Sequence, residues 1–69
     1  MGADIKFIRH YQYCREDIYD VIYQSGMCRT YYSIYNLPKT VLAYMDEVGE
    51  PKHQNDRYHG DEWIYEKGV

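Results

Sequence analysis

The sequence contains no apolar run that approaches the length needed to cross a membrane. Residues 1–15 also lack the continuous apolar segment that forms the centre of a secretory signal peptide. Without an export signal, Cys14 and Cys28 are expected to be thiols in a reducing compartment rather than a disulfide. We therefore expect a cytoplasmic protein, located in the host-cell cytoplasm if the chain is viral, that does not bind membranes.

Motifs for catalysis are missing as well. There is no Gly-rich phosphate loop, and no flanking signature supports Cys14 or Cys28 as a nucleophile paired with a histidine. Asp61 and Glu62 are adjacent, so on a strand they would point to opposite faces and could not act as an acid–base pair. A chain of 69 residues also has little material for a deep, supported pocket. We predict one small domain over residues 1–69 that is not an enzyme and uses no cofactor.

Metal binding is weakly encoded, because the potential zinc ligands are poorly spaced. No C-x-x-C knuckle is present, and a strand-to-helix junction would separate the first His and Cys of the chain. The five candidate ligands are His10, Cys14, Cys28, His53 and His59. The spacing favours packed or exposed side chains at these positions, and a small zinc-stabilised domain is kept as an alternative.

Tyrosine is the abundant residue: the chain has ten, against one Phe and one Trp. The segment RTYYSIYNLP, residues 29–38, places three of them close together. Tyrosine forms strands readily, and its ring packs while its hydroxyl stays in water. It also supplies contact area at low entropy cost, as in binding surfaces. The tyrosines therefore fit either a structural role or a protein interface.

Hydrophobic spacing predicts the order β-α-β-α-β. The predicted strands are 4–13, 27–35 and 62–67, the predicted helical segments are 15–26 and 36–51, and 50–61 is predicted to be polar and turn-like. Pro38 suits a first helical position, Asn36 could help to cap it, and Gly49 suits a helix end. The expected fold is a small α+β domain with two helices on one face of a three-stranded sheet.

Such a sheet would leave one face open to solvent. The alternation of residues 27–35 predicts that Tyr32 and Ile34 pack under the helices. Tyr31 and Tyr35 would then face outward together with Arg29. An exposed surface of Arg and Tyr has the composition of a binding hot spot.

Charge is unevenly distributed along the chain. Eleven acidic and eight basic residues give a net charge of −3, of which residues 1–43 carry +1 and residues 44–69 carry −4. The negative charge of residues 44–69 repels phosphate backbones and attracts basic protein surfaces. The segment DEWIYE, residues 61–66, also mixes acids with apolar contacts, as imitation of a phosphate backbone requires. The predicted partner-binding residues are Arg29, Tyr31, Tyr35, Asp61, Glu62, Trp63 and Glu66.

Small, acidic, tyrosine-rich chains without catalytic motifs are common among bacteriophage proteins that bind and block a host protein, including anti-CRISPR inhibitors. By that analogy we expect a stoichiometric inhibitor or adaptor of a larger basic protein, which could itself bind nucleic acid. Direct binding of nucleic acid by this chain is not expected. The main alternative is a homo-oligomeric structural or regulatory module, such as a homodimer that closes on its tyrosine face.

Overall fold

The computed structural model describes residues 4–58 and 60–67. Within these residues the chain forms five β-strands, one α-helix and a short 3-10 helix. The elements are β1 (Ile5–Tyr13), β2 (Glu16–Tyr23), β3 (Cys28–Tyr31), a 3-10 helix (Ile34–Asn36), α1 (Lys39–Val48), β4 (Lys52–Asp56) and β5 (Gly60–Tyr65). The strands form one antiparallel sheet in the order β3-β2-β1-β5-β4.

The prediction of a three-stranded sheet with two helices is therefore wrong. The segment predicted as a first helix, residues 15–26, is strand β2 and the turn after it. The segment predicted as a polar turn, residues 50–61, contains β4 and the start of β5. The predictions of a first strand, a last strand and the second helix are confirmed as β1, β5 and α1.

Strand β2 was misread because it is buried on both faces. Four consecutive residues, Ile18 to Val21, are buried, so its apolar side chains do not alternate with polar ones. The turn before it gives no sequence signal either. Cys14 and Arg15 have φ angles of 53° and 68°, which is the left-handed region that two-residue hairpins require and that Asn-Gly usually supplies.

The strand register assigns each side chain to a face of the sheet, because directly opposed residues lie on the same face. We call the side that packs against α1 the helix face and the other side the open face. Helix-face residues near the centre are Ile8, Tyr19, Val21 and Tyr65. Open-face residues near the centre are Arg9, Tyr11, Ile18, Asp20, Glu62 and Ile64.

A bulge in β1 lets both Ile5 and Ile8 reach the helix. Ile5 pairs with Tyr23 and Phe7 with Ile22, so β1 holds one extra residue at this point. The Tyr44 hydroxyl of α1 donates a hydrogen bond to the carbonyl oxygen of Lys6 in the bulge, at 3.1 Å.

The same Tyr44 hydroxyl oxygen also accepts a hydrogen bond from the backbone N–H of Lys67, at 3.1 Å. One side chain of α1 thus joins the helix to β1 and to the residues that follow β5.

The hydrophobic core lies between α1 and the helix face. Its buried members are Ile5, Ile8, Tyr19, Val21, Leu37, Val41 and Tyr44. Gly49, with φ 83°, ends the helix, and its N–H bonds to the carbonyl oxygen of Met45. The apolar side of α1 that the sequence predicted is therefore the side that is buried, with Val41 and Tyr44 at its centre.

Tyr31 and Tyr32 do not lie as predicted, whereas Tyr35 is exposed as predicted. Strand β3 ends at Tyr31, which packs against the core from the helix face. Tyr32 and Ile34, predicted to be packed, are 61% and 45% exposed. Tyr35 is 92% exposed, in the 3-10 helix that Ser33 begins by accepting a hydrogen bond from the Tyr35 N–H. The prediction failed because alternation was extended beyond the strand into this turn.

We expect Val41→Asp to abolish cooperative folding. Val41 is fully buried, and an unpaired carboxylate there costs about 3 kcal/mol or more, which equals the net stability of many domains of this size, about 3–5 kcal/mol. The matched control is Leu42→Asp, next in the sequence but 40% exposed, which should change stability by about 0.5 kcal/mol or less. Thermal melts followed by circular dichroism distinguish the two. A cooperative, native-like melt of Val41→Asp would show that the buried side of α1 is wrongly assigned.

Candidate functional site

Two hairpin turns lie side by side at one end of the sheet. Strands β1 and β5 are antiparallel neighbours, so the end of β1 lies beside the start of β5. The β1–β2 turn and the β4–β5 turn therefore lie at the same end of the sheet. We call this region the hairpin end and define it by residues 12–18 together with 55–58 and 60–62.

The hairpin end is rich in acidic residues, of which Glu62 is buried beside Arg9. It holds five acidic and two basic residues, a net −3, so the six acidic and six basic residues elsewhere cancel. The acidic members are Glu16, Asp17, Asp56, Asp61 and Glu62, and the basic members are Arg15 and Arg57. Two stretches that are distant in sequence thus form one negatively charged region.

An aromatic row crosses all five strands on the helix face. The register places its members opposite one another in the order Tyr31, Tyr19, His10, Trp63, His53. The His10 ring stacks on Tyr19 with centroids 4.2 Å apart and an interplanar angle of 7°. The indole of Trp63 lies between the two histidines, with ring centroids 5.8 Å from His10 and 5.3 Å from His53.

Each histidine of the row is paired with an aspartate. His10 Nε2 lies 3.3 Å from Asp17 Oδ1, and His53 Nε2 lies 3.0 Å from Asp61 Oδ1. Trp63, which is half-buried, is therefore flanked on both sides by a His–Asp pair. We call these five side chains the Trp63 surface.

Amide side chains hold the two aspartates in place. Gln12 Nε2 donates to Asp17 Oδ1 at 3.2 Å, and Asn55 Nδ2 donates to Asp61 Oδ1 at 3.3 Å. An open groove of about 460 Å³ beside Trp63 is lined by His10, Gln12 and Asp17, among others. The groove offers an aromatic face next to a carboxylate, which is an arrangement that binds organic cations such as Arg or Lys side chains.

The open face has a different arrangement, centred on Arg9. The guanidinium lies between two carboxylates, with Nη1 3.9 Å from Asp20 Oδ2 and Nε 3.8 Å from Glu62 Oε1. Glu62 is 2% exposed and Asp20 9% exposed. The Arg9 Nε is buried and makes no hydrogen bond within the described part of the chain. The guanidinium also lies over the Phe7 ring, 5.7 Å from its centroid.

Further hydrogen bonds extend this arrangement to the outer strands. Thr30 Oγ1 donates to Asp20 Oδ1 at 2.8 Å, and Tyr11 Oη donates to Asp20 Oδ2 at 3.2 Å. On the other side, Gln54 Nε2 donates to Glu62 Oε1 at 2.8 Å. The resulting open-face network includes a residue from every strand. Because its carboxylates are buried and already bonded, we assign it a structural role.

The predicted partner-binding residues are only partly brought together. Asp61 and Trp63 belong to the Trp63 surface, and Tyr31 ends the same aromatic row. The other four lie apart, with Arg29 exposed on β3, Tyr35 exposed in the 3-10 helix, Glu66 exposed after β5 and Glu62 buried on the open face.

Of the Trp63 surface, Asp17 was not predicted from the sequence, and His10 and His53 were considered only as zinc ligands. His10 and Asp17 come together only when β1 and β2 form a hairpin about Cys14 and Arg15. The alternation of β1 was visible in the sequence, but the pairing of β2 against it was not.

The zinc alternative gains no support from the geometry. Across residues 4–58 and 60–67, no three His, Cys, Asp or Glu side chains are grouped so as to hold a metal ion. Cys14 and Cys28 are exposed, free thiols. His59, the remaining predicted ligand, lies outside the described residues.

Comparison with family models, curated proteins and solved structures finds no match for this chain. The helix within the described residues is too short and too polar to span a membrane.

The pKa of Tyr11 makes stability sensitive to alkaline pH. Burial first, and then the negative charge of Asp20, raise this pKa from 10.0 to about 12. The folded state thus favours the neutral phenol of Tyr11. Its contribution to the free energy of unfolding is fully present below pH 10 and is lost as pH rises towards about 12. Burial raises the pKa of Tyr19, Tyr23 and Tyr65 in the same direction.

We therefore expect the free energy of unfolding to fall between pH 10 and about 12, and to fall less steeply in Tyr11→Phe. Denaturant titrations of both proteins across this pH range measure the two slopes. Parallel curves would mean that the folded state does not raise the pKa of Tyr11.

Proposed function

We propose that this chain is a small protein-binding domain that acts as a stoichiometric inhibitor or adaptor by docking its hairpin end on a basic surface of a larger protein. One observation carries the proposal. The fold gathers the exposed Glu16, Asp17 and Asp61 and the half-buried Asp56 at one end of the sheet, where Arg15 and Arg57 are the basic residues, beside a half-buried tryptophan. Charge concentrated in this way steers association with a basic partner and sets the association rate more than the final affinity.

The Trp63 surface supplies the specific contacts in this proposal. An Arg or Lys side chain of the partner lies over the indole, an interaction of about 0.5–2 kcal/mol. Asp17 and Asp61 accept charge-assisted hydrogen bonds from the same or neighbouring cations. Their strands, β2 and β5, lie on either side of β1, so the backbones of the two aspartates are about 10 Å apart across the sheet.

That spacing suits a partner whose cations line a groove. Proteins that bind nucleic acid present rows of Lys and Arg to the phosphate backbone. The proposed target is therefore a nucleic-acid-binding protein, and the proposed action is the phage-inhibitor type, of which anti-CRISPR proteins are one example. On this proposal the chain itself does not bind nucleic acid, because its acidic end repels phosphates.

The turn between β1 and β2 supports a contact role for the hairpin end. Cys14 and Arg15 both adopt positive φ, where non-glycine residues are strained and where Asn and Gly fit better. Residues in such conformations cluster at functional sites. Tyr13 and Tyr58, which are 61% and 79% exposed at the same end, would add contact area at low entropy cost.

The test begins with identification of the partner. A photo-crosslinking amino acid at position 58, in the exposed β4–β5 turn, is introduced into the chain in its native host, and the crosslinked protein is identified and purified. Calorimetry should then give a one-to-one complex, and the association rate should fall as salt rises.

We expect Asp17→Asn/Asp61→Asn to lower the association rate at low salt by about tenfold. The matched control is Asp46→Asn/Glu50→Gln, which removes two exposed charges outside the hairpin end and should change the rate by about twofold or less. Stopped-flow or surface-binding kinetics measure both. Equal effects of the two double variants, or an association rate independent of salt, would contradict docking through the hairpin end.

A further inference from the structure

The two outer strands of the sheet differ in how they meet solvent. Strand β4 has the sequence KHQND and presents polar side chains along its whole length. Strand β3 has the sequence CRTY, and Arg29 is the only charged residue between positions 24 and 36. An outer strand carries unpaired backbone groups that can pair with another strand unless charges or other features prevent it. The β3 edge is the less protected of the two.

Exposed apolar side chains are concentrated in the sequence on either side of β3. Met27, Tyr32, Ile34 and Tyr35 are 55%, 61%, 45% and 92% exposed. They make up four of the seven large hydrophobic side chains that are exposed in the described part of the chain. An open groove of about 470 Å³, lined in part by Tyr23, Met27 and Tyr31, lies next to the same strand. Such clustering is typical of an interaction surface.

The backbone of β3 has a defined direction at each residue. The Tyr23 N–H donates to the Met27 carbonyl oxygen at 2.8 Å, so the backbone groups of Met27 point inward to β2. Because backbone direction alternates along a strand, Arg29 and Tyr31 also point inward. Cys28 and Thr30 therefore direct their N–H and C=O groups outward.

We propose that the β3 edge pairs with the β3 edge of a second copy of this chain, so that two five-stranded sheets join into one antiparallel sheet about a two-fold axis. Identical edges related by such an axis are antiparallel and contact each other with the same residues. Each hairpin end is left free, because it is formed by strands and turns away from this edge.

Among the two-fold registers that keep the faces of the joined sheets aligned, two pair at least three residues of each β3. In one, Arg29 lies opposite Arg29 of the second copy, and the two like charges repel. In the other, Thr30 lies opposite Thr30 of the second copy, and the two residues exchange both of their outward hydrogen bonds. This second register also places Arg29 opposite Tyr31 of the second copy, where the guanidinium can contact the ring. Charge therefore selects the Thr30-centred register.

Sedimentation velocity of the wild-type chain tests the dimer itself. Strand β3 has four residues, so the pairing is short, and we expect a reversible monomer–dimer equilibrium between micromolar and millimolar concentration. Asp17→Asn/Asp61→Asn should leave this equilibrium unchanged, because the hairpin end is not part of the edge. A wild-type chain that stays monomeric at millimolar concentration overturns the proposal.

Cysteine crosslinking tests the register. In a Cys14→Ser/Cys28→Ser background, Thr30→Cys puts two Cα atoms about 5.5 Å apart, which lies within the range for a disulfide. Arg29→Cys puts the two cysteines two residues out of register, and His53→Cys places one on the opposite edge. Under mild oxidation we expect Thr30→Cys to form the covalent dimer at least about tenfold faster than either control.

Faster crosslinking by Arg29→Cys would overturn the Thr30-centred register, and equal rates for all three variants would overturn the edge pairing. Because Thr30 donates a hydrogen bond to Asp20, Thr30→Cys is first checked for a cooperative melt. If it does not fold, the sedimentation experiment on the wild-type chain decides the question.

Discussion

The structure of the described residues depends on one constraint: the ten-residue helix α1 must stabilise a five-stranded sheet. A helix of this length extends about 15 Å, whereas five strands span about 19 Å from first to last. The open face receives no cover from the helix. There the chain buries Asp20 and Glu62 and places Arg9 between them. This cation offsets two carboxylates that would otherwise be costly to bury.

The same constraint leaves part of the helix face open for binding. The helix packs on Ile8, Val21 and Tyr65, near the end of the sheet that carries the β1 bulge. The next row of side chains, which contains His10 and Trp63, extends beyond that core towards the hairpin end. Aromatic rings held by aspartates and amides occupy this region instead of leucines and valines. A sheet that is only partly covered can in this way fold and still present a surface to a partner.

The sequence predicted the elements whose pattern is local. Strand β1 alternates, and α1 has an amphipathic face that ends at Gly49. Strand β2 could not be predicted, since it is buried on both faces and follows a turn without Asn or Gly. Strand β4 has low intrinsic strand preference and pairs with β5. The candidate site was likewise predicted only in part. Trp63 and Asp61 were predicted from a local segment, whereas the residues that contact them are brought there by the pairing of the strands.

The central claim, that Arg9 stabilises the open face by offsetting Asp20 and Glu62, is tested most directly by the free energy of unfolding of two variants. Arg9→Met leaves two buried carboxylates without their cation and should lose about 3 kcal/mol. Arg9→Met/Asp20→Asn/Glu62→Gln removes all three charges and should regain most of that loss. Denaturant titration at neutral pH measures both values. An Arg9→Met variant as stable as the wild type, or a triple variant no more stable than the single one, would contradict the account.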